Sequence, residues 1–423
     1  MIDIVKFLKE NKDITDYKVN MTAVSSYETF FVRGKLETVR ATDVEDATVT
    51  VYVDGDGVKG DSSFSVYSSM TEEEVSAKIA SAYQRAKLVK NQTYDLPRGD
   101  FLSVEIPSNF EEYELPVLAD KIAKAVEKAE CFENGSINAL EIFIYKEKIS
   151  VVNSRGIDKT QTRYRAMIEA IPTWTENGES VELYEAYHFT NFDAEQITQE
   201  IDEKMREVRD RQIAKKLSPQ KIDVVLPARE VSRLMGEICD SLDFVAVYSH
   251  ANVFKKGDKV QKQRTGDKID LTMRHEVKGS RFSAIFDGDG VTLKDKKIIE
   301  DGVAVAYYGS HRFGSYLGED ITGNLSCIGL EKGTLTEDEI AKKPYVQCVS
   351  LSGLQLDLYN DYIGGEIRLA YLVDGGEKTP ITGISMSGKL SEVLNAIRLS
   401  ENVVAKDNYE GPCKALLKDM EII

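Results

Sequence analysis

Apolar positions along this chain repeat with two different periods, and the places where the period changes mark its elements. In residues 48–53, Val49, Val51 and Val53 share one face, the alternation of a half-buried strand. Asp54-Gly55-Asp56-Gly57 then supplies a hairpin turn. From Thr71 the period lengthens: Thr71-Glu72-Glu73-Glu74 has the form of a capping box, and Val75, Ile79, Ala82, Ala86 and Val89 follow at helical spacing. Residues 1–11 alternate as an amphipathic helix, without the unbroken apolar stretch of a signal peptide. Residues 102–106 predict a strand, and Leu115, Leu118, Ile122 and Val126 a helix that tolerates Pro116 in its first turn. Residues 139–152, 163–171 and 181–189 read as strands, with turns at Ser154-Arg155-Gly156 and Glu176-Asn177-Gly178.

Asp193, with Gln196 three residues on, opens a long charged helix whose apolar stripe is only Ile197, Ile201, Met205 and Val208. So narrow a stripe suits a helix that leans on a surface or bridges domains. Pro219 disfavours helical backbone at the residue before it, which predicts that the helix ends at Leu217-Ser218. Residues 222–226 predict a strand, followed by a helix carrying Val231, Leu234, Met235, Ile238 and Leu242. Beyond Val245 the chain predicts mainly strand and turn, with frequent glycines between Gly257 and Gly329, the punctuation of a curved or closed sheet. Two helices interrupt it, one after Thr336 and one through Leu390, Val393, Leu394 and Ile397. The expected fold class is α+β in two domains. Residues 1–217 form a mixed sheet-and-helix domain ending in the long amphipathic helix; residues 218–423 form a mostly antiparallel β domain, its sheet curved or barrel-like, with a few helices.

Composition narrows the functional classes. At 423 residues the chain exceeds one ordinary core. Fifty-four Lys and Arg against seventy-one Asp and Glu leave a net charge of −17, which repels a phosphate backbone and argues against nucleic-acid binding. No apolar run approaches the roughly 20 residues of a membrane span, so a cytoplasmic protein without membrane association is expected. The cysteines Cys131, Cys239, Cys327, Cys348 and Cys413 are widely spaced, with no Cys-x-x-Cys pair. That pattern fits neither a disulfide framework nor a cysteine-rich zinc knuckle.

Several blocks together resemble the TldD/PmbA family, whose PmbA branch is also called TldE and was once labelled a modulator of DNA gyrase. They are Val32-Arg33-Gly34-Lys35-Leu36-Glu37, Asn153-Ser154-Arg155-Gly156-Ile157, Phe286-Asp287-Gly288-Asp289-Gly290-Val291, Ile299-Glu300-Asp301-Gly302-Val303, Ile321-Thr322-Gly323-Asn324, and residues 381–390 with Ser387-Gly388-Lys389-Leu390. The resemblance implies a two-domain subunit that pairs with a homologue. The TldD-like partner carries zinc on an HExxxH helix with a cysteine from its C-terminal region, and the pair resembles a cytoplasmic protease of unfolded peptides. In such a site imidazoles and a thiolate hold the metal, water takes the open position and the glutamate accepts its proton. Between His188 and His250 this chain has no histidine. In the register of the resemblance the imidazole positions fall on Met235 and Asp240 and the glutamate position on Gly236; Glu237 has no metal-bound water to activate.

Other motifs do not rebuild a centre. His275-Glu276 begins like a zincin motif but runs on to Gly279 and Ser280. His188 lies in a predicted strand and His311 after a turn, both ordinary half-buried or surface settings. Cys413 lies in the region that gives the partner its thiolate, but stands without imidazoles. Gly383-Ile384-Ser385-Met386-Ser387 lacks the last glycine of a nucleophile elbow and reads as a helix-capping approach. The Asp-Gly-Asp-Gly segments at 54–57 and 287–290 place Val58 and Val291 where a calcium loop needs oxygen, and read as turns. The expectation is no catalytic, metal-binding or cofactor-binding residue in this chain, with zinc only in a TldD-like partner. The expected partners are that homologous subunit, in a heterodimer, or a second copy, in a homodimer, and an unfolded peptide whose contact residues the sequence does not name. The function expected is a non-catalytic PmbA/TldE-like subunit of a zinc metalloprotease; the alternative is a stand-alone homodimeric peptide- or protein-binding module.

Overall fold

The valine alternation around residue 50 belongs to a much longer strand. The computed structural model describes residues 3–129 and 132–423; Met1, Ile2 and Cys131, which entered the sequence reading, lie outside the described residues. Asp16–Val32 and Lys35–Asp54 form one long antiparallel hairpin, and Gly135–Asn153 and Asp158–Glu176 form another beside it. Val58–Tyr67 and Asn91–Gln92 extend the sheet on one side. On the other, Phe101–Glu105, Glu185–Phe189 and Glu179–Glu182 share the outer edge of Asp158–Glu176. Residues 181–189 are therefore two strands rather than the single one predicted: the chain breaks at Leu183, whose N–H donates to the Pro172 carbonyl.

Helices cover one face of this sheet. Glu72–Ala86 starts on a reciprocal Thr71/Glu74 capping box and buries Val75, Ile79, Ala82 and Ala86 against Val49, Val51 and Val66. Leu115–Glu127 and Ala194–Ile213 pack together over Leu140, Ile142, Ile144 and Ile168. Asp193 caps the longer helix by accepting from the N–H groups of Glu195 and Gln196. That helix ends at Ile213, not at Leu217-Ser218. Lys215 bridges to Ile381, its N–H donating to Pro380 and its carbonyl accepting from Thr382, so pairing with the second half of the chain ends the helix before Pro219 is reached.

In that second half Gln220–Pro227, Tyr345–Asp357, Tyr362–Asp374, Ile384–Lys389 and Lys414–Ile422 pair in this order, and Lys414–Ile422 pairs back with Gln220–Pro227. The result is a closed barrel, antiparallel except at the joint between Gln220–Pro227 and Tyr345–Asp357. A second sheet runs Val303–Ala304, Lys296–Glu300, Leu271–Arg274, Cys327–Leu330, Tyr409–Pro412, Val403–Lys406. The helix Ala228–Asp240 lies between the two sheets and places Val231, Leu234, Met235 and Ile238 in their common core. Two short helices, Phe244–Tyr248 and His311–Leu317, occupy a stretch predicted as strand and turn; neither is long enough for apolar periodicity to reveal it. Leu390–Ala396 takes its cap from a distant residue: Asp361 accepts from the N–H groups of Leu390 and Ser391. Among the described residues no helix is long and apolar enough to cross a membrane.

Candidate functional site

Strand register decides what the uncovered face of the first sheet presents. With Leu140, Ile142 and Ile144 turned toward the helices, the pleat turns Glu141, Phe143, Tyr145 and Glu147 the other way. On neighbouring strands Phe143 stands opposite Met167, Tyr145 opposite Arg165, and Glu147 opposite Arg163; His188 follows beyond Met167. The Phe143 and Tyr145 rings are parallel with centroids 6.5 Å apart, and the Arg165 guanidinium lies 3.8 Å over the Tyr145 ring, within the range of a cation–π contact.

The second domain closes onto this face at its Glu147 end. Arg163 Nη1 donates to the Arg281 carbonyl at 3.2 Å, the Ile285 N–H donates to Gln161 Oε1 at 3.0 Å, and Lys159 Nζ donates to Thr292 Oγ1 at 2.7 Å. Lys18 pairs with Asp289 at 2.5 Å, and Phe286 is buried against Val151 and Ile157. The Asp287 carboxylate accepts from the N–H groups of Asp289, Val291 and Asn324, so residues 287–290 make a tight turn at the domain junction. Between the domains lies a cleft of about 430 Å³ lined by Glu147, Arg163, Arg165, Arg281, Phe282 and Asn324, among others.

Its electrostatics are uneven. Burial pushes the Glu147 carboxyl up, but Arg163 Nε and Arg165 Nε, each 2.8 Å from one of its oxygens, hold it below the usual carboxylate range. Among the described residues Arg281 has no comparable partner. Its guanidinium lies 4.5 Å over the Phe282 ring, its buried Nε has no acceptor, and burial lowers its basicity despite Asp407 nearby. His188 Nδ1 is also buried without a partner among the described residues, and burial together with Arg281 lowers its pKa.

The residues singled out in the sequence fall elsewhere. Met235 is 0% exposed, within the core between the two sheets, while Glu237 and Asp240 on the same helix face outward and Gly236 offers no side chain. Partial desolvation by the surrounding fold raises both carboxyls, that of Glu237 further through the neighbouring Asp240 charge. Cys413 directly follows Tyr409–Pro412, a strand that packs on this helix, and its Sγ lies 3.4 Å from Ser400 Oγ. The cysteine region and the helix are thus brought together, but a buried thioether, a hydrogen and an outward carboxylate do not fit zinc, which wants imidazole or thiolate donors converging in a tetrahedron. His250 is exposed with φ 59°, His275 Nδ1 lies 2.5 Å from Asp295 Oδ1, and His311 opens a helix beside Tyr94 with its Nδ1 buried and unpartnered. Among the described residues no three His, Cys, Asp or Glu side chains are grouped to hold a metal ion.

Residues 219–423 match the family model for the PmbA/TldA metallopeptidase C-terminal domain. A metalloprotease PmbA homolog from Haemophilus influenzae is 24% identical over 217 residues, which is 47% of this chain and 47% of that protein. The chain therefore aligns with about half the length of this curated relative. The crystal structure of TldE from Thermococcus kodakarensis has a TM-score of 0.82 at 16% identity, covering 99% of both chains. The chain's likeness to the TldD/PmbA family thus rests on residues 219–423 by sequence and on its whole length by fold. A second solved structure, a candidate modulator of a DNA gyrase from Thermotoga maritima, has a TM-score of 0.79 at 15% identity, covering 99% of this chain and 98% of that one. At these identities the structural likeness is one of fold.

The cleft residues were not named from the TldD/PmbA resemblance or from the sequence itself. One signal was present: residues 139–152 place Phe143 and Tyr145 among acids on the face opposite Leu140, Ile142 and Ile144, where a solvent-facing strand ordinarily carries polar residues. The guanidiniums had no such signal, because they converge from Asp158–Glu176 and from the loop at Arg281 only after both domains have folded.

Proposed function

We propose that this chain is a non-catalytic, PmbA/TldE-like subunit of a cytoplasmic zinc metalloprotease, docking with a TldD-like zinc-bearing homologue and helping to present unfolded peptides to its metal. The observation that carries this reading is Met235. At the position where the resemblance implies an imidazole, the chain buries a thioether in apolar core, and the two neighbouring functional positions are Gly236 and Asp240. An open strand edge supports the peptide-presenting part. Along Lys35–Asp54, Val58–Tyr67 covers only residues 46–54, so the outer edge of residues 35–45 has no strand on it among the described residues, and Leu36, Val39 and Val44 are exposed there. Pairing along such an edge engages backbone groups and tolerates varied side chains. The same edge supports a second reading, a stand-alone homodimer that binds peptides without proteolysis.

The deciding experiment mixes a purified TldD-like subunit with an unstructured peptide, with and without this chain. Cleavage that depends on this chain is the expected result, and equal cleavage in both reactions overturns the reading. Elemental analysis of the isolated chain is expected to give no stoichiometric zinc.

A further inference from the structure

The domain junction gathers more positive charge than it consumes. Arg163 and Arg165 share one carboxylate, Glu147. Arg281 contributes its carbonyl to the junction, while its guanidinium forms no ion pair among the described residues. The second carboxylate lining the cleft, Asp287, is already taken by three backbone N–H groups. Asp407 faces Arg281 and His188 from the second domain, but has a buried oxygen without a donor. A buried guanidinium nitrogen without an acceptor is costly, and the planar fork of arginine matches a carboxylate two N–H groups at a time.

We propose that the interdomain cleft is a carboxylate-binding subsite in which Arg281 and Arg165 grip an acidic group, while the adjoining Tyr145 and Phe143 rings carry the apolar part of the same ligand. The ligand class is an extended peptide bearing an Asp or Glu side chain or a free C-terminal carboxylate. That choice of ligand rests on the peptide-presenting reading; the oxyanion chemistry of the cleft does not. Register supports the combination, because Tyr145 stands two residues from Glu147 on the same face, and Arg165 both stacks on that ring and lines the cleft. A volume of about 430 Å³ accommodates a side chain or chain end rather than a folded partner.

The test uses the isolated full chain and fluorescence anisotropy with three unstructured peptides of one scaffold. The first has an internal Glu and an amidated C-terminus, the second no acidic residue and a free C-terminus, and the third no carboxylate. One or both carboxylate peptides are expected to bind about tenfold tighter than the third, which also identifies the source of the group. The difference should shrink in about 0.5 M salt, yield to competing inorganic phosphate, and vanish in Arg281→Gln while the third peptide binds as before. Thermal melting checks that this variant is folded. Equal binding of all three peptides, or a uniform loss in Arg281→Gln, overturns the subsite and leaves the peptide-presenting reading standing. If no peptide binds and phosphate raises the melting temperature of wild type and Arg281→Gln equally, the subsite also falls. Phosphate protection that requires Arg281, without peptide binding, upholds the oxyanion site and removes the peptide as its ligand.

Discussion

Asp16 and Lys59 form an ion pair inside the first domain: Lys59 Nζ lies 3.1 Å from Asp16 Oδ2, and the two side chains are 1% and 3% exposed respectively. The same carboxylate accepts from Arg155 Nε at 2.6 Å, Arg155 Nη2 at 2.9 Å and Ser154 Oγ at 2.6 Å. Two strands and the turn after Gly135–Asn153 thus converge on one group. Asp16→Ala leaves the buried Lys59 ammonium with only the half-exposed Asp54 carboxylate, 2.7 Å away, and strips Arg155 and Ser154 of their acceptor, which is expected to cost about 2–3 kcal/mol. A urea titration of the full chain, following the transition of the first domain, measures it.

The same carboxylate sets a pH dependence. Burial alone raises its pKa, but the hydrogen bonds from Arg155, Ser154 and Lys59 outweigh burial and hold it below the ordinary value. A depressed folded-state pKa contributes stability that is fully present above the unfolded value of about 3.9 and is lost as pH falls through the folded one. Wild type is therefore expected to lose its stability advantage over Asp16→Asn below about pH 4. An advantage that stays constant down to about pH 2 would contradict the assignment.

Met235 is read as core, and paired substitutions test that. Met235→Leu conserves volume and apolar character and is expected to cost less than about 1.5 kcal/mol. Met235→His buries a polar ring among aliphatic side chains of the core, and is expected to cost about 2–5 kcal/mol. Denaturant midpoints of the two variants decide it, and a well-tolerated imidazole would mean that this position can face a polar site.

How far the sequence reaches depends on whether a feature is written in one local period. The capping box at Thr71/Glu74, the valines at 49 and 51 and the apolar side of Ala228–Asp240 are local, and each was legible. A curved or barrel-like sheet was expected in the second domain from glycines at 257–329, but the strands that close the barrel, Gln220–Pro227 and those from Tyr345 onward, lie outside that stretch. The end of the long helix was misplaced because a bridge from Lys215 to a strand more than a hundred residues away acts before Pro219 does. The cleft was hidden for the same reason. Arg163, Arg165 and Arg281 are ordinary surface arginines in the sequence, and only strand register and domain closure bring them together.

Gly60 marks a close approach that no other residue can make. It lies on Val58–Tyr67 against the end of the helix Glu72–Ala86, where an added Cβ would sit 1.9 Å from the Ala86 carbonyl oxygen and 2.9 Å from that of Val89. Both obstacles are backbone, so relief requires the helix to move off the sheet. Gly60→Ala is expected to destabilise the first domain by about 3 kcal/mol or more, against about 1 kcal/mol for Gly34→Ala, where no atom lies within 4 Å of the Cβ and only the φ of 71° is strained. Thermal melting of the two variants makes the comparison.

Closure of the barrel depends on Lys414–Ile422, which pairs with Gln220–Pro227 on one side and with Ile384–Lys389 on the other. Leu417 is buried opposite Val224, and two residues later the register shifts at Asp419, which has φ 51° and donates its N–H to Asp223 Oδ1 at 3.0 Å. The extra residue lets Leu417 and Met420 both point inward although they are three positions apart. Leu417→Ala is expected to cost about 2–5 kcal/mol through the cavity it leaves. At Asp419 the backbone conformation is the constraint: Asp419→Gly should be tolerated, whereas Asp419→Val forces a β-branched residue into the left-handed region at about 1–2 kcal/mol. If valine and glycine at 419 gave equal urea midpoints, the bulge could not be what sets the register of closure.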